Sequence, residues 1–351
     1  MSNNTQSNTS VQSDQSYDIP LKVLSTKDRR ILRELFDDGR MPFSVVAKKV
    51  GLSKEVVNYR VKKMFDEGVL IGFNTVIDVN LIGWQIYFVN IRLRNIDDVV
   101  EEEIINLLTN HPNIAQVLKC LGNYDLVLKL FVRDYVQANK LMKEIELKFK
   151  THIDEYAFDF VEQEFPIPVP FLYEPFKIKE RQSISKKDAK TVSVSTTELQ
   201  ILKALSNNAR LPVSEIAKRL NISREIARHH LKKLEKSKVI LKYRPSARSG
   251  SKSVGYSWYF VMLKLNELNE SLNRELRHYI LNSPNMTYYY KCIGRHDVLF
   301  EIRLKTSDEF NHVLMDIRVI LKNCFKSYEL SIILKEYKYT YFPDCLLTND
   351  V

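Results

Sequence analysis

Two short stretches hold the side chains best suited to recognising a polyanion. In the first, Ser53 is followed by Lys54, Asn58, Tyr59 and Lys62; in the second, Ser223 is followed by Arg224, Arg228, His229 and Lys232. On a helix that starts at the serine, these spacings put the four side chains on one outer face. An asparagine there suits the edge of an adenine, and an arginine the edge of a guanine. Lys48, Lys49, Lys62, Lys63 and their counterparts Lys218, Arg219, Lys232 and Lys233 suit phosphate oxygens. Tyr59 and His229 fit packing or a contact rim equally well. Catalytic constellations are missing from the sequence. It has no nucleophile-and-base motif, no HExxH and no paired cysteines, and its nine glycines form no phosphate loop. The pattern therefore calls for no cofactor, no metal site and no catalytic residues.

The two stretches are copies. Shifted by 170 residues, STKDRRILRELF and RMPFSVVAKKVGLSKEVVNYRVKKM lie without a gap on STTELQILKALS and RLPVSEIAKRLNISREIARHHLKKL. A repeat of this kind has to be explained before anything else. Each copy opens on a hydroxyl three residues before an acid (Ser25/Asp28, Ser195/Glu198), the signature of a capping box. Ile31, Leu32 and Leu35, matched by Ile201, Leu202 and Leu205, form an apolar stripe at helical spacing. A second short helix follows over about residues 43–50, with Val46, Ala47 and Val50 inward. Gly51 and Asn221, which tolerate a left-handed backbone, mark the turn. Ser53 and Ser223 cap the third helix, where Val57, Val61 and Met64 (Ala227, Leu231, Leu234) face inward.

Beyond each helical module the period changes from 3.6 to about 2. The pattern predicts a strand over 84–93, a helix over 97–110, strands over 114–121 and 126–132, a helix over 134–150 and a strand over 154–164. That order is βαββαβ, and it recurs at an offset of 172. The fold class is thus α+β: two winged-helix-like helix-turn-helix domains (25–75 and 195–246), each followed by a βαββαβ domain (80–165 and 256–342). A disordered tail is expected over 1–24, a linker over 166–194, a two-residue insertion within about 244–256, and a short tail over 343–351.

Charge is segregated along the 351 residues. Of the net of +10, residues 25–75 carry +4, 76–175 carry −7 and 195–246 carry +8, the remaining segments together carrying +5. A basic field confined to the helical modules is the footprint expected for a nucleic-acid partner. No apolar run approaches the length of a membrane span, and the polar N-terminus is not a secretory signal. Cys120, Cys292, Cys324 and Cys345 lack metal spacing and are expected as free thiols in a reduced cytoplasm.

The helical module, with Leu52-Ser53, Val57, Arg60-Val61 and Glu67-Gly68-Val69, precedes a βαββαβ domain carrying Gly122-Asn123-Tyr124-Asp125 between its middle strands. This combination resembles the leucine-responsive/asparagine-operon (Lrp/AsnC) regulators of bacteria and archaea, whose βαββαβ unit is the RAM domain. The resemblance covers roughly 25–165 and 195–342. Copy two departs from it where His230 replaces Arg60 and Ser237-Lys238 replaces Glu67-Gly68. It implies a sequence-specific transcriptional regulator that binds double-stranded DNA and is modulated by a small effector such as an amino acid. It further implies an intrachain pseudo-dimer paired sheet against sheet, and further homo-oligomers. By the same resemblance, Asn123, Tyr124, Asp125, Arg295, His296 and Asp297 are the effector contacts. The two heads either read unlike half-sites, or copy two grips the backbone while copy one reads sequence. Siroheme decarboxylases share the layout and stand as the alternative; of the tetrapyrrole-handling histidine and arginine that they carry around the middle strands, Gly122-Asn123-Tyr124-Asp125 has neither, and only Arg295-His296 could stand in.

Overall fold

The computed structural model describes residues 24–166, 191–206, 208–247, 256–283 and 285–347. The expected N-terminal tail, most of the linker and the connecting insertion fall outside them.

Each repeat opens with three helices, α1 (Thr26–Asp37), α2 (Phe43–Val50) and α3 (Lys54–Asp66), matched by α6 (Thr196–Ser206), α7 (Val213–Leu220) and α8 (Arg224–Lys236). The caps act as the sequence requires. Ser25 Oγ accepts from Asp28 N while Asp28 accepts from Ser25 N, and Ser53 and Ser223 accept from Val56 N and Ile226 N. Gly51 and Asn221 take the left-handed backbone at φ 69° and 53°.

A strand that sequence patterning had not delimited follows each module. β1 (Leu70–Ile77) and β6 (Ile240–Ala247) pair antiparallel with each other, joining the two modules through a shared two-stranded sheet. Leu70-Ile71 and Ile240-Leu241 carried the apolar signal, but their partners lie about 170 residues apart.

The βαββαβ units are β2 (Gln85–Leu93), α4 (Asp98–Asn110), β3 (Ile114–Gly122), β4 (Leu126–Val132), α5 (Tyr135–Lys148) and β5 (Ile153–Pro166), then β7 (Ser257–Leu265), α9 (Glu270–Asn282), β8 (Met286–Gly294), β9 (Val298–Leu304), α10 (Ser307–Leu321) and β10 (Phe325–Tyr339). The two four-stranded sheets face each other within the chain. They are also joined at both edges, since β5 pairs with β8 and β10 with β3. The result is a closed eight-stranded barrel in the order β10-β3-β4-β2-β5-β8-β9-β7. Closure satisfies the edge amide and carbonyl groups that a lone four-stranded sheet exposes.

Strands β2, β4, β7 and β9 are buried along nearly their whole length, whereas β5 and β10, at the seams, are largely half-buried or exposed. Val89 and Ile91 of β2 pack outward under α4 and α5, whereas Phe88 points into the barrel against Phe260 and Tyr290, at ring separations of 5.3 and 4.8 Å. Val261 and Leu263 pack outward in the second half. Residues 344–347, within the segment expected as a tail, form a short 3-10 turn with Cys345 and Leu346 buried. None of the four cysteines is in a disulfide; Cys120, Cys292 and Cys345 are buried and Cys324 is half-buried. No helix among the described residues is long and apolar enough to cross a membrane.

Candidate nucleic-acid interface

The residues singled out on the third helices share an exposed face. Ser53, Lys54, Asn58, Tyr59 and Lys62 are exposed on α3, and Ser223, Arg224, Arg228, His229 and Lys232 on α8. Beneath them Val57, Val61 and Met64, or Ala227, Leu231 and Leu234, are buried and fix how far each helix stands out from its module. Two apolar residues that sequence reasoning passed over join this face. Val56 is 37% and Ile226 46% exposed, at the same repeat position, three residues after the capping serine. The repeat alignment carried the signal: an apolar residue on a polar face in both copies. Such side chains suit a thymine methyl group.

The cations divide into free and engaged. Among the described residues, no carboxylate forms an ion pair with Lys48, Lys54 or Lys62, nor with Lys218, Arg224, Arg228 or Lys232. Lys49 instead pairs with Glu34 at 2.8 Å, Arg219 with Glu215 at 3.2 Å and Lys233 with the buried Glu198 at 2.8 Å, while Lys63 reaches Glu67 at 4.0 Å. Lys49 and Lys233 tie two helices of their module together, whereas Arg219 and Lys63 pair one turn along their own helix.

The Arg60/His230 difference between copies is compensated. Arg60 Nη1 donates to Asp28 Oδ1 at 2.9 Å, tying α3 to α1; in copy two the shorter His230 meets the longer Glu198 at 3.0 Å. Burial pushes both carboxyls up, but hydrogen bonds from Ser25 and Arg60 hold Asp28 below its ordinary value. Lys233, Ser195 and His230 do the same for Glu198.

The two heads are clamped by reciprocal contacts. Arg40 donates to Ala209 O at 2.7 Å and Leu211 O at 3.2 Å; Arg210, its repeat equivalent, donates to Gly39 O at 2.5 Å and Met41 O at 3.1 Å. Gly39 N donates to Tyr243 O at 2.8 Å and Ala209 N to Phe73 O at 2.7 Å. Helix α1 also packs on β6 and α6 on β1. The spacing between α3 and α8 is thereby built into one rigid pair.

The Gly-x-x-Asp loops lie where the two halves of the barrel cross. Asp125 accepts from Leu93 N at 2.7 Å and Asp297 from Leu265 N at 2.8 Å, each fastening its own half. Asn123 and Arg295 are exposed. Asn123 N and Oδ1 pair with Leu330 O and N at 3.1 and 2.9 Å, and Arg295 N donates to Phe158 O at 3.3 Å. Tyr124 and His296, repeat equivalents, are both about 1% exposed. His296 is held between Asp159 Oδ2 at 2.8 Å and Glu329 Oε2 at 3.1 Å, and Arg295 meets the same Glu329 at 2.9 Å. Beside Asp125 lies a cavity of about 260 Å³ bordered by Arg94, Asn95, Glu101, Lys119 and Cys120.

An AsnC-type helix-turn-helix domain matches residues 24–64, and a winged helix-turn-helix DNA-binding domain matches residues 195–240. The chain is similar to the regulatory protein AsnC of Haemophilus influenzae, with 28% identity over 120 residues, 34% of this chain and 79% of the relative. It is 31% identical over 123 residues to an HTH-type transcriptional regulator of Mycobacterium tuberculosis, covering 35% of this chain and 82% of the relative. Over nearly the whole length, its fold resembles the crystal structure of the siroheme decarboxylase NirDL in complex with an iron-uroporphyrin III analogue. That match has a TM-score of 0.63 at 16% identity and covers 90% of this chain and 94% of the other; it is a likeness of fold alone. With both helix-turn-helix repeats matched and a relative spanned over four-fifths of its length, the chain belongs to the Lrp/AsnC family of helix-turn-helix transcriptional regulators, with the family unit present twice.

Proposed function

We propose that the chain is a sequence-specific transcriptional regulator that presents two unequal recognition helices, α3 and α8, to double-stranded DNA from one polypeptide. The observation that carries this reading is the matched pair of exposed faces with uncompensated cations, clamped to each other through Arg40 and Arg210. In it, the N-terminal turns of both helices enter the major groove. Asn58, Arg224 and Arg228 address base edges, while Lys54, Lys62 and Lys232 address phosphates. A small effector acts at the barrel seam, around Asn123, Tyr124, Asp125, Arg295, His296 and Asp297. The adjoining cavity, with Arg94 and Lys119 beside Glu101 and Asp125, offers both signs of charge for a zwitterion such as an amino acid. An effector there shifts DNA affinity only by as much as it discriminates between two placements of the clamped head pair on the barrel.

The test is a salt titration of binding to the protein's own promoter region. Lys62→Ala and Lys232→Ala should each weaken binding on all sequences and lower the slope of log K against log salt by about 1. Unchanged slopes in both variants would contradict the placement of these helices on DNA.

The tetrapyrrole-enzyme alternative draws on the likeness of fold. Its one candidate histidine, His296, is closed off between two carboxylates in this structure. Adding siroheme and scanning for a haem-type absorption separates the two readings, because tight visible binding favours the enzyme.

A further inference from the structure

Where the two-stranded β1–β6 wing sheet meets the barrel, the chain leaves a cavity of about 40 Å³. It is lined from β1 and β6 by Thr75 and Arg244, and from the barrel side by Lys129, Glu164, Tyr339 and Tyr341. At roughly 10–15 Å³ per water, the space holds about three waters.

The charges around it do not balance. Lys129 Nζ donates to Glu164 Oε1 at 3.0 Å, which neutralises that pair. Arg244 exposes 8% of its surface, and among the described residues its hydrogen-bond partners are phenols: Tyr288 Oη at 2.6 Å and Tyr341 Oη at 3.5 Å. The same two rings face its guanidinium at 5.7 and 5.5 Å. Neutral acceptors compensate a buried cation only partly, and an isolated one is costly. A single positive charge is therefore left beside a polar cavity. A guanidinium fork matches a carboxylate by two parallel hydrogen bonds, better than it matches a spherical ion.

We propose that this cavity is a binding site for the carboxylate group of a small organic acid, held by Arg244, with the Lys129 ammonium and the Tyr339 and Tyr341 hydroxyls around it. Arg244 lies opposite Asn74 in the β1–β6 register, and this sheet joins the two heads. Occupancy is thereby placed to bias how the heads sit on the barrel. That consequence rests on the DNA-binding reading; the site itself does not, and the test below contains no DNA.

The full chain is titrated with sodium acetate and sodium propionate at fixed ionic strength and neutral pH, with chloride and phosphate as comparison salts, following Tm. The expected result is a saturable rise in acetate and propionate that chloride and phosphate do not give. Arg244→Gln should shift the half-saturation concentration upward by at least about 30-fold. Arg244→Lys, which keeps the charge without the fork, should weaken it as well and serves if the glutamine variant does not fold. Equal rises in all salts, or the same titration curve in Arg244→Lys and the parent, overturn the proposal. So does tyrosinate absorbance at neutral pH that Tyr341→Phe abolishes in a protein showing no saturation, since the phenol itself would then be the counter-ion.

Discussion

Glu301 sits inside the barrel, about 2% exposed, where Trp258 Nε1 donates to its Oε2 at 3.1 Å. Burial pushes its carboxyl from an ordinary 4.5 up to about 7, against the pull of Arg303 and with a further push from Glu336. A carboxyl raised in the folded state contributes stability that is complete below its unfolded value and lost as pH rises through the folded one. The window is therefore about pH 4.5 to 7, and the loss is on the order of 3 kcal/mol. Glu301→Gln keeps an acceptor for Trp258 but cannot ionise, so its unfolding free energy should fall less between pH 5 and pH 8 than that of the parent. Denaturant titrations at those pH values check this, and parallel curves would contradict it. Asp28 and Glu198 act in the opposite direction: their depressed carboxyls contribute above the unfolded value and lose that contribution as pH falls through the folded one. Asp78, pushed by burial from 3.8 up to about 6, titrates in the same window as Glu301, so the difference between Glu301→Gln and the parent isolates the Glu301 share.

At the scale of elements, the seams between the two halves depend on close backbone approach at the loops. A Cβ on Gly294 would lie 2.3 Å from Phe158 O, and one on Gly122 would lie 2.4 Å from Leu330 O. Gly294→Ala should cost about 3 kcal/mol and speed amide exchange along β5 and β8. Gly122→Ala should cost more, because its φ of +137° is also one that a side chain disfavours. A stable protein with unchanged exchange at these strands would contradict the seam geometry. Much of this level was legible in the sequence. Ser25, Ser53 and Ser223 announced helix starts, and the inward triplets on α3 and α8 announced which face remained outside. Strand pairing was not legible: β1 finds β6, and β5 finds β8, through contacts that no local period encodes. The buried ions of the barrel, Lys129, Glu301 and Arg303, were hidden for a related reason. In isolation Lys129 is a lone polar residue in an apolar run and Glu301 and Arg303 alternate with apolar neighbours, and only closure of the barrel turns that face inward. Tyr124 and His296 stood in the sequence as loop residues, yet the crossing of the halves buries them.

At the scale of the whole molecule, tandem duplication supplies within one chain an arrangement that would otherwise need two. Each half contributes one recognition helix, half of the wing sheet and half of the barrel, joined at a fixed stoichiometry. Fusion also frees the halves to diverge, and the record is visible in pairs such as Arg60/His230, Asn58/Arg228 and Lys129/Glu301. The outer faces of α3 and α8 now differ, Lys-Asn-Tyr against Arg-Arg-His, while the frame beneath them keeps its pseudo-symmetry. A symmetric dimer favours palindromic sites, whereas two unlike recognition faces, on the proposed reading, call for unlike half-sites. The most direct measurement is selection of bound duplexes from a randomised pool, run in parallel on the parent chain, Lys54→Ala/Asn58→Ala and Arg224→Ala/Arg228→Ala. The account predicts a non-palindromic motif of two half-sites, one of which loses its base preference in each double variant. Failure to enrich any motif, or the same motif from all three proteins, would contradict it.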